Sequence, residues 1–409
     1  MTNKTIFSSA DILLPDYAYD SEDFLKWAVI ACDQFTSDIS YWDKTEKIID
    51  SAPSTYDYIL PEAFLDTERE DIKTSDFKEK MKCIDSSPLK KEINGFIYIE
   101  RTLSDGKIRR GILGMLDLES YDFSADSKSD IRATEQTVPE RIPPRSALRA
   151  MATIELPHAM VFTDDKTDLF KKAENIASFC PVVYDFDLMQ GGGHIKGFAI
   201  EGDAADLLAE YITKNEQAAP LPYAVGDGNH SLAAAKALYS NIRAELGEAA
   251  LVHPARYALC EVVSIFDEAI EFEPIHRIIK NVDPEDVLAE LSTIAVPGAG
   301  GQAVRVITDS IEENYRFTET SHSMTVGTLQ NFIDGYVSSH QNAVCDYIHG
   351  ESELRALVNE CSVAFMFDGF DKSLLFEYIK DGPMPRKTFS MGDAKSKRYY
   401  LEARRIVRE

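Results

Sequence analysis

The chain lacks any long apolar run, and no stretch approaches the roughly 20 apolar residues that span a bilayer. The segment after Met1 has no apolar core of the kind found in secretory signal peptides. The six cysteines include no Cys-x-x-Cys pair, and several lie in apolar segments such as 257–260. We therefore expect reduced core thiols in a cytoplasmic protein that crosses no membrane.

Metal-binding and P-loop signatures are also missing. The eight histidines are scattered, and neither a His-x-x-x-His pair nor a zinc-type Cys–His spacing occurs. No Gly-Lys-Ser/Thr ending completes a P-loop. These absences exclude a recognisable zinc cage and a P-loop NTPase, but a Mg²⁺ ion held by one or two carboxylates and substrate phosphates leaves little trace in a sequence.

Positive charge is scarce, because 43 Lys and Arg residues face 69 Asp and Glu residues, which gives a net charge of −26. Such a field repels nucleic acids and anionic membranes, so we expect neither as a partner. A small anionic ligand remains compatible with it wherever a few Arg and Lys side chains converge. The sequence does not indicate an oligomeric state.

The 409 residues are 44% hydrophobic and 27% charged, which is typical of a globular protein with a large core. Apolar segments 95–101 and 111–118 flank a Ser-Asp-Gly turn and predict a hairpin. After residue 150, helical and strand patterns alternate, which predicts an α/β (α+β) fold with a mixed sheet and covering helices. We place a domain boundary near 150: residues 1–150 form an α/β region with an Arg-rich loop at 119–149, and residues 151–409 form a second α/β region.

The strongest functional candidate is the loop GDGNH at 226–230, between a predicted strand at 223–225 and a predicted helix at 231–246. Gly226 and Gly228 permit close approach of a ligand to the backbone. The amides of Asn229 and Ser231 would lie at the start of the helix, where free N–H groups and the helix dipole favour an anion. The sequence therefore predicts a phosphate site; the alternative is a plain strand–turn–helix capped by Asn229 or Ser231.

Two side chains in this loop could carry out chemistry. Asp227 could hold Mg²⁺ or accept a proton, and His230 could donate to a phosphate or transfer a proton. Glu135, in the loop before residue 150, is a candidate general base for a substrate hydroxyl, or else a solvated carboxylate. Asp33 follows the apolar run 28–32 and is either a functional side chain or a helix cap.

Arginine is suited to binding phosphate because its planar guanidinium group matches the phosphate oxygens. Candidate arginines occur in two groups. The 119–149 loop contributes Arg132, Arg141 and Arg145, with Arg149 nearby. Outside it stand Arg277, which follows His276, and the pair Arg386 and Lys387 after Pro385. For each side chain the alternative is an ion pair or a solvated basic turn on an acidic protein.

Motifs spread over nearly the whole chain carry a family resemblance. They include WAVIACDQFT (27–36), IRATEQT (131–137), ERIPPR (140–145), ELPH (155–158), GDGNH (226–230), PIHR (274–277), MPRKT (384–388) and KRYY (397–400). The chain resembles the bacterial and archaeal family catalogued as domain of unknown function 1015. That family's usual loop, Asp-Gly-His-His-Arg, is similar to the nucleotide-binding turn of the ParB–sulfiredoxin superfamily, which includes free-serine kinases.

The resemblance implies a ParB–sulfiredoxin-like core with an N-terminal elaboration, and phosphoryl transfer involving serine or phosphoserine with ADP or ATP. This chain departs from the usual loop at Asn229 and Ser231, where the family has His and Arg, so another cation would have to replace that Arg. The leading hypothesis is a phosphotransferase or phosphohydrolase acting on a small hydroxy or phospho amino acid. The alternative is a non-catalytic nucleotide- or metabolite-binding regulator.

Overall fold

The computed structural model describes residues 5–380 and 382–407. The chain forms two compact units. Unit 1 comprises Met1–Ala133, Thr137–Ile270 and Asp393–Glu409, and unit 2 comprises Thr134–Gln136 and Glu271–Gly392. The division predicted near residue 150 does not coincide with these units, because strands from both sides of it pair in one sheet of unit 1.

The elements follow in chain order. The strands are β1 (Phe7–Ser8), β2 (Ala10–Pro15), β3 (Val29–Ile30), β4 (Leu89–Thr102), β5 (Ile108–Asp117), β6 (Tyr121–Asp122), β7 (Ile131–Ala133), β8 (Ile154–Glu155), β9 (Met160–Thr163), β10 (Val182–Asp187), β11 (His194–Glu201), β12 (Tyr223–Asp227), β13 (Tyr257–Ser264), β14 (Phe272–Lys280), β15 (Ala295–Pro297), β16 (Ala303–Ile307), β17 (Glu312–Phe317), β18 (Val344–His349), β19 (Ser362–Met366), β20 (Phe389–Met391), β21 (Tyr399–Tyr400) and β22 (Arg404–Arg405). The helices are α1 (Asp23–Trp27), α2 (Ile39–Ile49), α3 (Glu68–Lys82), α4 (Ile142–Ala150), α5 (Leu169–Ala177), α6 (Asp203–Ala218), α7 (Asn229–Leu246), α8 (Pro284–Leu291), α9 (Thr325–Ser339), α10 (Glu351–Leu357) and α11 (Leu375–Ile379).

Unit 1 is built on an 11-stranded sheet with the order β10-β11-β4-β5-β13-β9-β12-β7-β6, to which β1 adds beside β5 and β2 beside β4. The predicted hairpin is confirmed, because β4 and β5 pair antiparallel. Since β12 runs parallel to β7 and antiparallel to β9, the sheet is mixed, as predicted.

Both faces of this sheet are covered, which explains why β4 is apolar at successive positions. Side chains alternate between the faces of a strand. Ile97 and Ile99 pack with residues of α1, α2 and α3, whereas Phe96 and Tyr98 pack with residues of α5, α6 and α7. The predicted mixed sheet with covering helices is therefore confirmed.

Unit 2 has its own seven-stranded sheet, in the order β15-β17-β16-β19-β14-β18 with β20 beside β14. Its core includes Val304, Val306, Leu329, Ile333 and Phe365, which come from β16, α9 and β19. Among the described residues of the chain, none of the helices has the length and apolar character needed to cross a bilayer.

The prediction of a long loop at 119–149 is wrong, because this stretch contains β6, β7 and α4. The sequence hides α4 because Pro143 and Pro144 occupy its first turn. Proline is tolerated there, since the first amides of a helix have no partner within the helix. Ile142 packs against Ala233 and Ala234 of α7, and Arg145 of α4 lies near enough to His230 for their charges to interact.

Candidate functional site

The predicted phosphate loop joins β12 to α7, and both of its glycines are structurally required. Gly228 has φ of +76°, and a Cβ atom there would lie 2.8 Å from Cα of Ala159. A Cβ atom on Gly226 would lie 2.2 Å from the ring of Phe162. The backbone therefore turns sharply from strand to helix in a space that excludes any side chain at these two positions.

The first turn of α7 begins at Asn229, and no side chain of the described residues caps it. The alternative prediction of a cap from Asn229 or Ser231 is wrong, because the capping position is Gly228, and the amide of Leu232 donates to the Gly228 carbonyl. The amides of residues 229–231 precede this bond, as in the first turn of any helix. The buried Oδ1 atom of Asn229 has no hydrogen-bond partner within residues 5–380 and 382–407.

His230 lies on this first turn and is held by the backbone. Its Nε2 atom accepts a hydrogen bond from the Val138 amide at 3.2 Å. Burial, and then the charges of Arg145 and Arg141, lower the pKa of His230 to about 4. The ring is therefore neutral at pH 7, and its proton must reside on Nδ1, because Nε2 is the acceptor.

Asp227 has both carboxylate oxygens engaged. Its Oδ1 accepts from the amide of Gly228 at 3.0 Å, and its Oδ2 lies 3.3 Å from Nζ of Lys397. In the described part of the chain no three His, Cys, Asp or Glu side chains form a metal site. The charge that Oδ2 of Asp227 faces is the ammonium of Lys397, and Mg²⁺ ligation by Asp227 stays a prediction.

The position of Lys397 is fixed from several directions. The pairing of β21 with β3 and a 3.0 Å bond from the Ala31 amide to the Arg398 carbonyl hold the segment after it. Arg101 and Arg109 donate to the carbonyls of the two residues before it, Lys395 and Ser396, at 3.1 and 2.7 Å. The ammonium is thus held beside the loop by buried structure.

Among the arginines predicted from the 119–149 segment, Arg141 and Arg145 lie near enough to His230 to depress its pKa. Arg145 forms an ion pair with Glu62 and donates to the Arg141 carbonyl. The other two have different partners: Arg132 donates to the Ser129 carbonyl, and Arg149 forms an ion pair with buried Glu155.

A second group of side chains surrounds Asp33. Tyr400 contacts Nδ1 of His158 at 2.8 Å and donates to Sγ of Cys32 at 3.1 Å. Burial would raise the pKa of Asp33, but His158, the Gln34 amide and Lys397 together hold it below its ordinary value. Burial raises the pKa of the Cys32 thiol to about 12, so this half-buried cysteine, which packs against the core, is protonated.

The remaining predicted site residues belong to unit 2. The carboxylate of Glu135 accepts the amides of Lys387 and Thr388 at 3.3 and 3.2 Å. Burial raises the pKa of Glu135. These bonds anchor the segment 384–388, on which the side chains of Arg386 and Lys387 are exposed. Glu135 therefore acts first as a structural acceptor within unit 2.

Arg277 differs from its prediction as a phosphate ligand. It is fully buried in β14, and its guanidinium donates to Gln330 at 2.9 Å and to the carbonyls of Lys387 and Arg386 at 2.8 and 3.3 Å. These bonds to protein groups give it a structural task, which is to hold the same 384–388 segment. The neighbouring His276 accepts the Phe367 amide at 3.2 Å, which matches the structural alternative.

The sequence therefore located the loop but missed two of its neighbours, Lys397 and His158. Both lie in motifs that carried the family resemblance, KRYY and ELPH. The presence of these two residues in family motifs was the one signal in the sequence that could have identified them. Contacts between distant segments, among them the pairing of β21 with β3, assign Lys397 to this position.

Three solved structures resemble the chain at low TM-scores. A free serine kinase variant in complex with AMP shares 11% identity and a TM-score of 0.41, over 72% of this chain and 92% of that chain. SbnI with a C-terminal truncation from Staphylococcus aureus shares 11% identity and a TM-score of 0.37, over 68% of this chain and 83% of that chain. A conserved hypothetical protein from Pyrococcus furiosus shares 12% identity and a TM-score of 0.35, over 70% of this chain and 90% of that chain.

No curated protein matches the sequence. The profile of one family, described as Protein of unknown function (DUF1015), matches residues 13–405. Since this match spans almost all of the 409 residues, the chain belongs to the DUF1015 family.

Proposed function

We propose that the first turn of α7 binds a phosphate group and that the protein is a phosphotransferase or phosphohydrolase for a small hydroxy or phospho amino acid. The observation that carries the proposal is the uncapped α7 turn with three cations around it. The uncapped amides of residues 229–231 supply donors, and Lys397, Arg141 and Arg145 supply charge. A cradle of this kind can hold an anion in a protein whose net charge is −26.

Each group then has a role consistent with its geometry. The amides of residues 229–231 bind phosphate oxygens, and Nδ1–H of neutral His230 donates to one of them. Lys397 supplies the charge that the family's usual loop arginine would bring at position 231. Donors fixed in advance stabilise charge that develops on a transferring phosphoryl group.

Asp227 orients the site rather than reacting. With one oxygen on the Gly228 amide and the other on Lys397, it sets the direction of the loop and of the ammonium. A nucleoside di- or triphosphate is the proposed phosphoryl donor, and serine or phosphoserine is the first substrate to test. The family resemblance supports both choices.

Ligand-induced thermal stabilisation tests the anion site. ADP, ATP and phosphoserine are expected to raise the melting temperature in a concentration-dependent way, because a ligand at 100 times its Kd adds about 2.7 kcal/mol of stability. Adenosine, which lacks phosphate, serves as the matched control and should give no shift. Equal shifts with adenosine and ADP, or none with any phosphate compound, would contradict the proposal.

Turnover separates the enzyme from a binding protein. Transfer of labelled phosphate from nucleotide to serine, or its release from phosphoserine, is the expected result. Phosphate-dependent binding without product over hours would instead favour a regulator, the role that the altered residues Asn229 and Ser231 would suit.

A further inference from the structure

We propose that the carboxylate of Asp33 accepts the proton of the substrate hydroxyl during phosphoryl transfer at the α7 turn. The inference rests on the proposed function and adds the group that the loop itself does not supply. Each oxygen of Asp227 contacts one neighbour, the Gly228 amide or Lys397, and we therefore assign this residue an orienting role.

The backbone brings Asp33 to this position. The amide of Ala31 donates to the Arg398 carbonyl at 3.0 Å, next to Lys397. The carbonyl of Cys32 accepts the amide of Glu62 at 2.8 Å, and Glu62 pairs with Arg145. The two residues before Asp33 are therefore tied by their backbones to the residue after Lys397 and to Glu62, the partner of Arg145.

Electrostatic interactions join Asp33 to the same group of residues. Lys397 interacts with Asp33 and forms the ion pair with Asp227, so the two carboxylates share one cation. The charge of Asp33 also raises the pKa of His230, against the larger effects of burial and the arginines. Asp33 and His230 are thus close enough for their charges to interact.

The carboxylate retains room for a ligand. Among the described residues one side chain, Gln34, donates a hydrogen bond to it, at 3.0 Å. A carboxylate can accept about four hydrogen bonds, so acceptor sites remain for a hydroxyl. His158, held in place by Tyr400, and Lys397 keep the pKa of Asp33 low despite burial, so the group is ionised at neutral pH.

The proposed step balances as follows. The substrate hydroxyl oxygen forms a bond to the terminal phosphorus of the nucleotide, while its O–H bond breaks and the proton passes to Asp33. The bond from phosphorus to the bridging oxygen breaks, and the departing nucleotide keeps the electron pair. Asp33 then releases its proton to water. A kinase carboxylate with this role orients the hydroxyl and receives its proton as the new bond forms.

The test compares full-length wild-type protein with Asp33→Asn. Single-turnover transfer from radiolabelled ATP and ADP to serine is measured, together with nucleotide Kd by calorimetry. We expect the rate to fall by about 10²- to 10⁴-fold and the Kd to change less than about threefold, because phosphate binding rests on α7 and its cations. Asp20→Asn, the same change at an exposed aspartate of unit 1, should leave both unchanged.

Each outcome decides between the claims. If Asp33→Asn keeps the wild-type rate, or loses nucleotide affinity in parallel with rate, the inference fails while the proposed function stands. If wild-type protein transfers phosphate to no hydroxy amino acid, the inference fails; if it also releases none from phosphoserine, the proposed function fails with it. If Asp33→Asn does not fold, Asp33→Glu takes its place: it keeps the charge but displaces the carboxylate, so an unchanged rate would overturn the inference.

Discussion

Lys397 lies with its ammonium 3.3 Å from Oδ2 of Asp227, at the point where β12 ends and α7 begins. Both side chains are more than four-fifths buried, at 15% and 18% exposure, so the pair is poorly screened by solvent. This relationship places a cation beside the loop at 226–230.

Removing the cation should weaken phosphate binding. Lys397→Met is expected to reduce nucleotide affinity by about ten- to hundredfold, because a charge-assisted hydrogen bond to phosphate is lost. Calorimetric titration with ADP measures the effect. Lys128→Met removes the same charge from an exposed site in unit 1 and should leave the Kd nearly unchanged. Equal losses of nucleotide affinity in both variants would show that the net charge of the protein matters and that the contact with Lys397 does not.

The turn at Gly228 should tolerate no side chain. Gly228→Ala combines a left-handed backbone with a contact to the Ala159 backbone, and we expect it to cost about 2 kcal/mol or more. Urea unfolding followed by tryptophan fluorescence reports unit 1, because Trp27 and Trp42 both lie there. Gly106→Ala is the matched control: φ is +85° but the site is open, so we expect about 1 kcal/mol. If Gly228→Ala lowers the free energy of unfolding no more than Gly106→Ala does, the close packing of Gly228 against Ala159 is contradicted.

His230 should make unit 1 sensitive to acid. Its pKa is about 4 in the folded protein, below the usual value of 6.5. Between these values the unfolded chain binds more protons, so this contribution to stability is complete above pH 6.5 and is lost as the pH falls through 4. Melting temperatures between pH 7 and pH 4.5 should fall more steeply for wild type than for His230→Gln. Parallel curves would show that His230 titrates normally.

The elements that the sequence predicted well are those with local signals. The β4–β5 hairpin has a turn between two apolar runs, and α7 has an alanine-rich run after two glycines. By contrast, α4 was hidden by Pro143 and Pro144, whose placement in a first turn depends on where the helix begins. Because local composition does not reveal helix start points reliably, the Arg-rich segment resembled a loop.

The residues of the candidate site likewise fall into those with a local signal in the sequence and those without one. The loop at 226–231 is contiguous, so its chemistry could be inferred from adjacent residues. Lys397 and Asp33 join it through contacts between distant segments, such as the pairing of β21 with β3, which one sequence cannot reveal. Arg277 was misassigned because an arginine in a motif looks the same whether its guanidinium binds a ligand or the carbonyls of Arg386 and Lys387.

The buried ion pairs of Arg398 should matter greatly for stability. Arg398 is 3% exposed and pairs with Glu261 and Glu402, which are also buried. Arg398→Met removes the ion-pair partner of Glu402 and leaves Glu261 with Arg109 alone, at 3.8 Å, and we expect this to cost about 3–5 kcal/mol. The urea midpoint measured by tryptophan fluorescence should fall accordingly. Arg243→Met, at an exposed pair of the same unit, should barely move it; similar midpoints for both variants would refute the assignment.

Arg277 should control the mobility of the 384–388 segment in unit 2. Arg277→Met removes the bonds to the carbonyls of Arg386 and Lys387. The loss of about 1 kcal/mol should raise local opening at least about fivefold. Limited trypsin digestion with mass spectrometry reads this out as faster cleavage after Arg386 or Lys387. Arg305→Met, at a partly exposed ion pair of the same unit, should leave the cleavage rate unchanged. If both variants are cleaved faster to the same extent, Arg277 does not specifically hold the 384–388 segment.

The most direct test of the central claim is a crystal structure of the full chain with ADP and phosphoserine. The account predicts phosphate density about 3 Å from the amide nitrogens of residues 229–231, with Lys397 in contact with it. Phosphate bound elsewhere, with the α7 turn closed by protein groups alone, would contradict it.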